Sequence, residues 1–219
     1  MTRKIKKLQR GVSIVGAGMS QFGSFKDLIG RDLLSESFRD LINSVDKGLN
    51  VLDIQSIYIG NFSTEMFEGQ GHIGPIMADW LGLTPRPATR VENACASGGS
   101  ALREGINAVA SGLYDIVLVG GVEKMSSLST EETTDVLAMA ADVLYEVPAG
   151  FTFPAIYAAI AVAYLNKYEV SPEELFGVSI KNHRNGSLNP RAQFNSTIGE
   201  MMERRVSRMV PPPISNPWN

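Results

Sequence analysis

Apolar positions along the chain switch repeatedly between two spacings. Val12-Ser13-Ile14-Val15-Gly16 is a short β-branched run and reads as a strand, whereas Leu33, Leu34, Phe38, Leu41, Ile42 and Val45 recur at helical intervals. Ile54 to Asn61, rich in β-branched and aromatic residues, predicts a second strand, and His72 to Leu83 a shorter helix through Ile76, Met77, Trp80 and Leu81. Thr89-Arg90-Val91 then predicts a third strand, Ser97 to Ser111 a third helix through Leu102, Ile106 and Val109, and Asp115 to Gly121 a fourth strand. Strands alternating with helices predict a layered α/β domain, with a mainly parallel sheet and helices on both faces.

After Gly121 the alternation stops. Ser126 to Thr134 is polar, and Asp135 to Tyr145 fits either a short helix or an ordered loop. Two longer helices follow, Pro154 to Tyr168 and Pro172 to Asn185. The second carries a start signal: Ser171 as N-cap, Pro172 at the first helical position and Glu174 three residues after the cap. Pro211-Pro212-Pro213 and Pro217 exclude regular helix or central strand at the end. The expected organisation is a basic tail at 1–11, an α/β domain at 12–125, a helical insertion at 126–210 and an irregular Pro-rich tail at 211–219.

The 219 residues suffice for one domain or one domain with a large insertion. With 44% hydrophobic and 20% charged residues the composition is that of a globular protein. A net charge of -3 leaves no footprint for nucleic acid, and Arg3, Lys4, Lys6, Lys7 and Arg10 read as a solvated cluster. The run from Val12 to Met19 imitates a signal peptide but is short and broken by Gly16 and Gly18. No apolar run approaches the roughly 20 residues that span a bilayer, so a cytoplasmic protein without membrane contact is expected. One cysteine forms no internal disulfide, and His72 and His183 alone make no zinc-ligand pattern, so no metal site is expected.

Gly16-Ala17-Gly18-Met19-Ser20-Gln21 begins like a dinucleotide-binding fingerprint, but Gln21 stands where the third glycine belongs, so the glycines are read as turning the chain out of its first strand. His72, near a helix start, fits a structural or surface role. His183, in Lys181-Asn182-His183-Arg184-Asn185, occupies a polar helix end, where capping carbonyls outweighs contact with a ligand's polar part. Cys95 lies between a strand and an apolar helix pattern. A free cysteine is often a small core hydrophobe. Ala94, Ala96, Ser97, Gly98 and Gly99 favour a different role, because they leave room for a ligand lying against the backbone. A thiol at a strand-to-helix turn meets the helix's free N–H groups and positive dipole end, which stabilise a thiolate and can hold an oxyanion.

Asn93-Ala94-Cys95-Ala96-Ser97-Gly98-Gly99 resembles the nucleophile loop of thiolases, and the segment from Asp115 through Gly120-Gly121-Val122-Glu123-Lys124-Met125-Ser126 resembles the strand and loop that follow the nucleophile helix. Asn182-His183-Arg184-Asn185-Gly186-Ser187-Leu188-Asn189-Pro190 resembles the loop domain of archaeal and sterol-carrier-type thiolases. The similarity runs from about Val12 to Val210 and covers the N-terminal half of the family's pattern. It implies a thiolase half-fold with the loop domain as its insertion. The family's fifth strand, which follows the loop domain, falls where Pro211 to Asn219 stands, so an open sheet edge beside the fourth strand is expected.

The resemblance implies acyl transfer between coenzyme A thioesters through an acyl-Cys95 intermediate, with acyl-CoA as substrate and no permanently bound cofactor. It brings His183 to a segment near CoA. The activating histidine, the water- or oxyanion-holding motif and the second cysteine of the family belong to its other half and have no counterpart in this sequence. The expected partners are therefore a second copy of the chain or a complementary thiolase C-terminal chain. Archaeal thiolases of this kind also imply complexes with a hydroxymethylglutaryl-CoA synthase and a small zinc/OB-fold protein. The alternatives are a non-catalytic acyl-CoA-binding or complex-assembly protein, and a truncated remnant.

Overall fold

The computed structural model describes residues 10–209. The basic residues Arg3 to Lys7 and the prolines at 211–213 and 217 lie outside the described residues. Ser56–Gly60 (β1), Ala88–Val91 (β2) and Val117–Gly121 (β3) pair into one parallel sheet of order β2-β1-β3. Ile57 stands opposite Ala88 on one side and Leu118 on the other. The period-two pleat sends Ile57, Ile59 and Leu118 to one face. There they join Leu34 of the helix Gly30–Asn43 (α1) and Ile73 and Met77 of the helix Ile73–Trp80 (α3) in the core. The helix Ser97–Ala110 (α4) covers the opposite face and touches all three strands. Its close approach needs Gly105, where a Cβ would lie 2.5 Å from a Val119 methyl.

The predicted first strand does not form. Among the described residues Val12 to Gly16 pairs with no strand, and Ile14 and Val15 are 76% and 64% exposed. The order leaves the outer edge of β3 open, but the segment does not reach it. The segment is held instead by Arg10, whose guanidinium donates to the Val109 and Tyr114 carbonyls and pairs with Asp115 at 2.9 Å, so Arg10 is not part of a solvated tail. A cavity of about 460 Å3 separates the segment from Val117 to Val119 and from Leu102 and Ile106 of α4. Gly18 packs its backbone against α1, and Ala17 and Met19 donate to Ser44 Oγ and Asp40 Oδ2.

Five further helices are described, and only some of them were expected. Thr64–Glu68 (α2) follows β1 and was not expected, Thr130–Ala138 (α5) runs from the stretch read as polar into the one read as a short helix or an ordered loop, and Phe153–Tyr168 (α6) matches its prediction. Pro172–Ser187 (α7) also matches, although Ser171 makes no side-chain cap bond. Ile198–Met209 (α8) was not anticipated. Contacts divide the described residues into two compact units, 10–20 with 24–155 and 21–23 with 156–209. In the second, the Phe22 N–H donates to the Arg191 carbonyl at 2.9 Å, and α7 packs on α8.

Candidate active site

The candidate nucleophile sits where β2 ends. Beyond Val91 the chain passes through Glu92 and Asn93, turns left-handed at Ala94 (φ 44°) and makes one 3-10 turn, Ala94–Ala96, before α4 begins at Ser97. A left-handed backbone at a residue with a Cβ is uncommon, and such residues gather where surroundings over-determine the geometry. Glu92 supplies part of that by accepting the Ala94 N–H, and the Asn93 carbonyl accepts the Ala96 N–H at 2.9 Å. Cys95 is a free, exposed thiol at the centre of this turn. It therefore lies at the N-terminus of a 14-residue helix and beyond the carboxyl ends of parallel strands, where α/β proteins bind ligands and where helix N–H groups stabilise negative charge.

Two glycines set how closely the turn meets the sheet. A Cβ on Gly60, the last residue of β1, would lie 2.8 Å from the Gly98 N and Cα and from the Ser97 carbonyl carbon. The first turn of α4 thus rests directly on the end of the central strand. A Cβ on Gly98 or Gly99 would meet nothing within 4 Å, so the free side of that turn is bare backbone facing open space.

The same end of the sheet is laced together by side chains that sequence reasoning did not single out. Glu123, just past β3, accepts the Phe62 N–H at 2.7 Å, the Ser63 N–H at 3.1 Å and the Asn61 amide at 3.2 Å. Buried Asn61 also donates to the Val122 carbonyl at 2.9 Å. From β2, Arg90 donates to the Asn61 and Phe62 carbonyls and pairs with Glu65. Burial pushes the Glu123 carboxyl above the usual carboxylate range, against the opposing pull of the Phe62 and Ser63 amides and of Arg90. Its neighbour Lys124 is buried, with Nζ donating to Ser127 Oγ at 3.3 Å.

The histidines are placed differently from Cys95. His72 is exposed and left-handed (φ 57°) at the N-cap of α3, with no side-chain cap bond. His183 belongs to the second unit. Its Nδ1 lies 3.3 Å from the Ser196 carbonyl and its ring 6.0 Å from that of Phe194. It therefore meets a carbonyl outside α7 and does not cap the helix. Among the described residues, no three of His, Cys, Asp and Glu gather as a metal site would need. No described helix is long and apolar enough to cross a membrane.

A parallel α/β layer with an exposed thiol in the turn that enters a helix at its carboxyl end defines the class: an α/β protein with a cysteine where such folds bind their ligands. The chain belongs to the thiolase family, since the thiolase N-terminal domain matches residues 12–207. It is 43% identical over 207 residues to an acetyl-CoA acetyltransferase of Methanothermobacter thermautotrophicus, a match that covers 94% of this chain and 52% of the relative. A protein of the same name from Methanocaldococcus jannaschii is 42% identical over 185 residues, covering 84% of this chain and 46% of the relative. Sterol carrier protein 2 of Gallus gallus is 28% identical over 209 residues, covering 90% and 37%. The chain thus spans about half the length of the acetyltransferases it matches.

Proposed function

We propose that Cys95 is the nucleophile of a thiolase-type acyl transfer between coenzyme A thioesters. The observation that carries this reading is the exposed thiol in a left-handed turn on the N-terminus of α4, in a chain of the thiolase family. In the first half-reaction the Cys95 sulfur, its proton passed to a base, attacks the thioester carbonyl of an acyl-CoA. The carbonyl oxygen takes the negative charge, which the backbone N–H of Cys95 can help hold, since the Ala94, Ala96 and Ser97 N–H groups already donate to Glu92, Asn93 and Ala94. The bond to the CoA sulfur then breaks, CoA leaves as a thiol after gaining a proton, and acyl-Cys95 remains. A second CoA thiol, or an enolate formed from a second acyl-CoA, takes the acyl group in the next step.

The base and acid come, in this reading, from the part of a thiolase that these 219 residues do not include, on the same polypeptide or on another. Neither His72 nor His183 is assigned the task. A reducing, cytoplasmic setting would keep the single thiol free.

The test is intact-protein mass spectrometry after incubation with acetyl-CoA, with and without a thiolase C-terminal half. One acetyl group per chain is expected, on Cys95, with turnover only when that half is present. Co-purification of the two halves without any acetyl transfer would instead support a binding or assembly role. Labelling and turnover that survive Cys95→Ala would remove Cys95 from the mechanism.

A further inference from the structure

The left-handed Ala94 needs something to hold it, and the side chains around it supply a clasp. The Ser97 hydroxyl oxygen accepts the Asn93 N–H at 2.9 Å and donates to the Ala94 carbonyl at 2.7 Å. The same carbonyl takes the Ser97 N–H. Ser97 is 5% exposed, so water has little access to replace these bonds. The Asn93 amide reaches one turn further and donates to Ser100 Oγ at 3.0 Å, on a residue that is 8% exposed. One buried hydroxyl thereby closes the loop from the residue before the strained turn to the carbonyl inside it, with Cys95 as the exposed residue it encircles.

Building on the acyl-transfer reading, we infer that Ser97 is a positioning residue for Cys95: its hydroxyl holds Ala94 left-handed and so fixes where the thiol and the Cys95 N–H point. The hydroxyl touches neither thiol nor substrate and acts through the Ala94 carbonyl. Removing it frees Ala94 to relax toward negative φ, where residues with a Cβ prefer to be. The thiol then swings away from its place over α4.

Glycine adopts positive φ about as readily as negative, so Ala94→Gly lessens the need for the clasp. That gives the inference a signature that mere structural support lacks. In the full chain, the rate of Cys95 alkylation by iodoacetamide and of acetylation by acetyl-CoA is measured for the parent, Ser97→Ala, Ser97→Thr, Ala94→Gly and the Ala94→Gly/Ser97→Ala double variant. Ser97→Ala is expected to slow acetylation roughly tenfold to a hundredfold, the range for a displacement on the order of 1 Å. Threonine, which keeps the hydroxyl, restores the rate. The alanine loss is smaller in the Ala94→Gly background, a coupling that the double-mutant cycle reads directly.

Equal rates in the parent and Ser97→Ala overturn the inference, and so does an identical loss in both backgrounds. Failure of both Ser97→Ala chains to fold also overturns it, because the hydroxyl then serves folding. A parent that takes no acetyl group refutes the acyl-transfer reading alone. The alkylation series then decides the positioning role, by the same rescue and coupling.

Discussion

Gly60→Ala is the sharpest perturbation the fold offers, because it strikes the contact between the central strand and the nucleophile turn. The new Cβ would stand 2.8 Å from three backbone atoms of Ser97 and Gly98, where ordinary contact begins near 3.4 Å. None of the three is the end of a flexible side chain, so the first turn of α4 has to retreat by about 0.6 Å or more. Overpacking of this kind costs about 1–3 kcal/mol. In a chain of this size each kcal/mol lowers the melting temperature by about 2–4 °C. The thiol rides on the displaced turn, so acetylation should fall by up to about a hundredfold. Circular dichroism melting reads the first effect and mass-spectrometric acetylation kinetics the second. Gly98→Ala is the internal contrast: its Cβ meets nothing, and replacing a helical glycine gains about 0.5–1 kcal/mol. A Gly60→Ala protein that melts and reacts like the parent would refute the reasoning, as would a Gly98→Ala protein destabilised to the same degree.

Gly18→Ala should release the segment around Ala17 from α1, since its Cβ would lie 2.1 Å from the Ser37 carbonyl oxygen; faster hydrogen exchange at the Ala17 and Met19 amides checks this. Arg10→Ala should cost about 1 kcal/mol in urea unfolding, from its carbonyl hydrogen bonds more than its exposed Asp115 pair, so Asp115→Asn should cost less. Glu123 has its folded pKa raised by burial, so its protonated form is favoured on folding. That contribution is full below the unfolded carboxylate value and is lost as pH rises through the folded one. The stability advantage of the parent over Glu123→Gln should therefore shrink across that window, and parallel pH–stability curves would exclude the effect.

Much of the α/β layer was legible because burial imposes a period. Ile57 and Ile59 alternate with Tyr58, and Leu34 and Met77 recur on one face of their helices, so sequence spacing tracks the core. Val12 to Gly16 has the composition of a strand but stands off the open edge of β3 across a cavity, and whether a strand reaches a partner is a tertiary fact. Local signals misled in both directions. Ser171 and Glu174 carry the capping pattern without a side-chain cap bond, while Ser129 and Glu132 form a full capping box that starts α5. At the site, Cys95 stood out through its small neighbours. The Asn61, Arg90 and Glu123 network did not, because its members come from three distant segments that meet only once Ile59 registers against Arg90 and Gly60 against Gly121.

That registry also sets an order of assembly during synthesis. The middle strand of the sheet leaves the ribosome before either neighbour, and its two edges are filled at different times. Ala88 to Val91 can cover one soon after, while the other stays bare until Val117 to Gly121 has been made. Arg10 waits as long, since its partners at Val109, Tyr114 and Asp115 belong to the same late stretch. During that interval the nascent chain displays an unpaired strand edge with a thiol-bearing turn beside it. A chaperone or a nearby chain has its best opportunity to bind then.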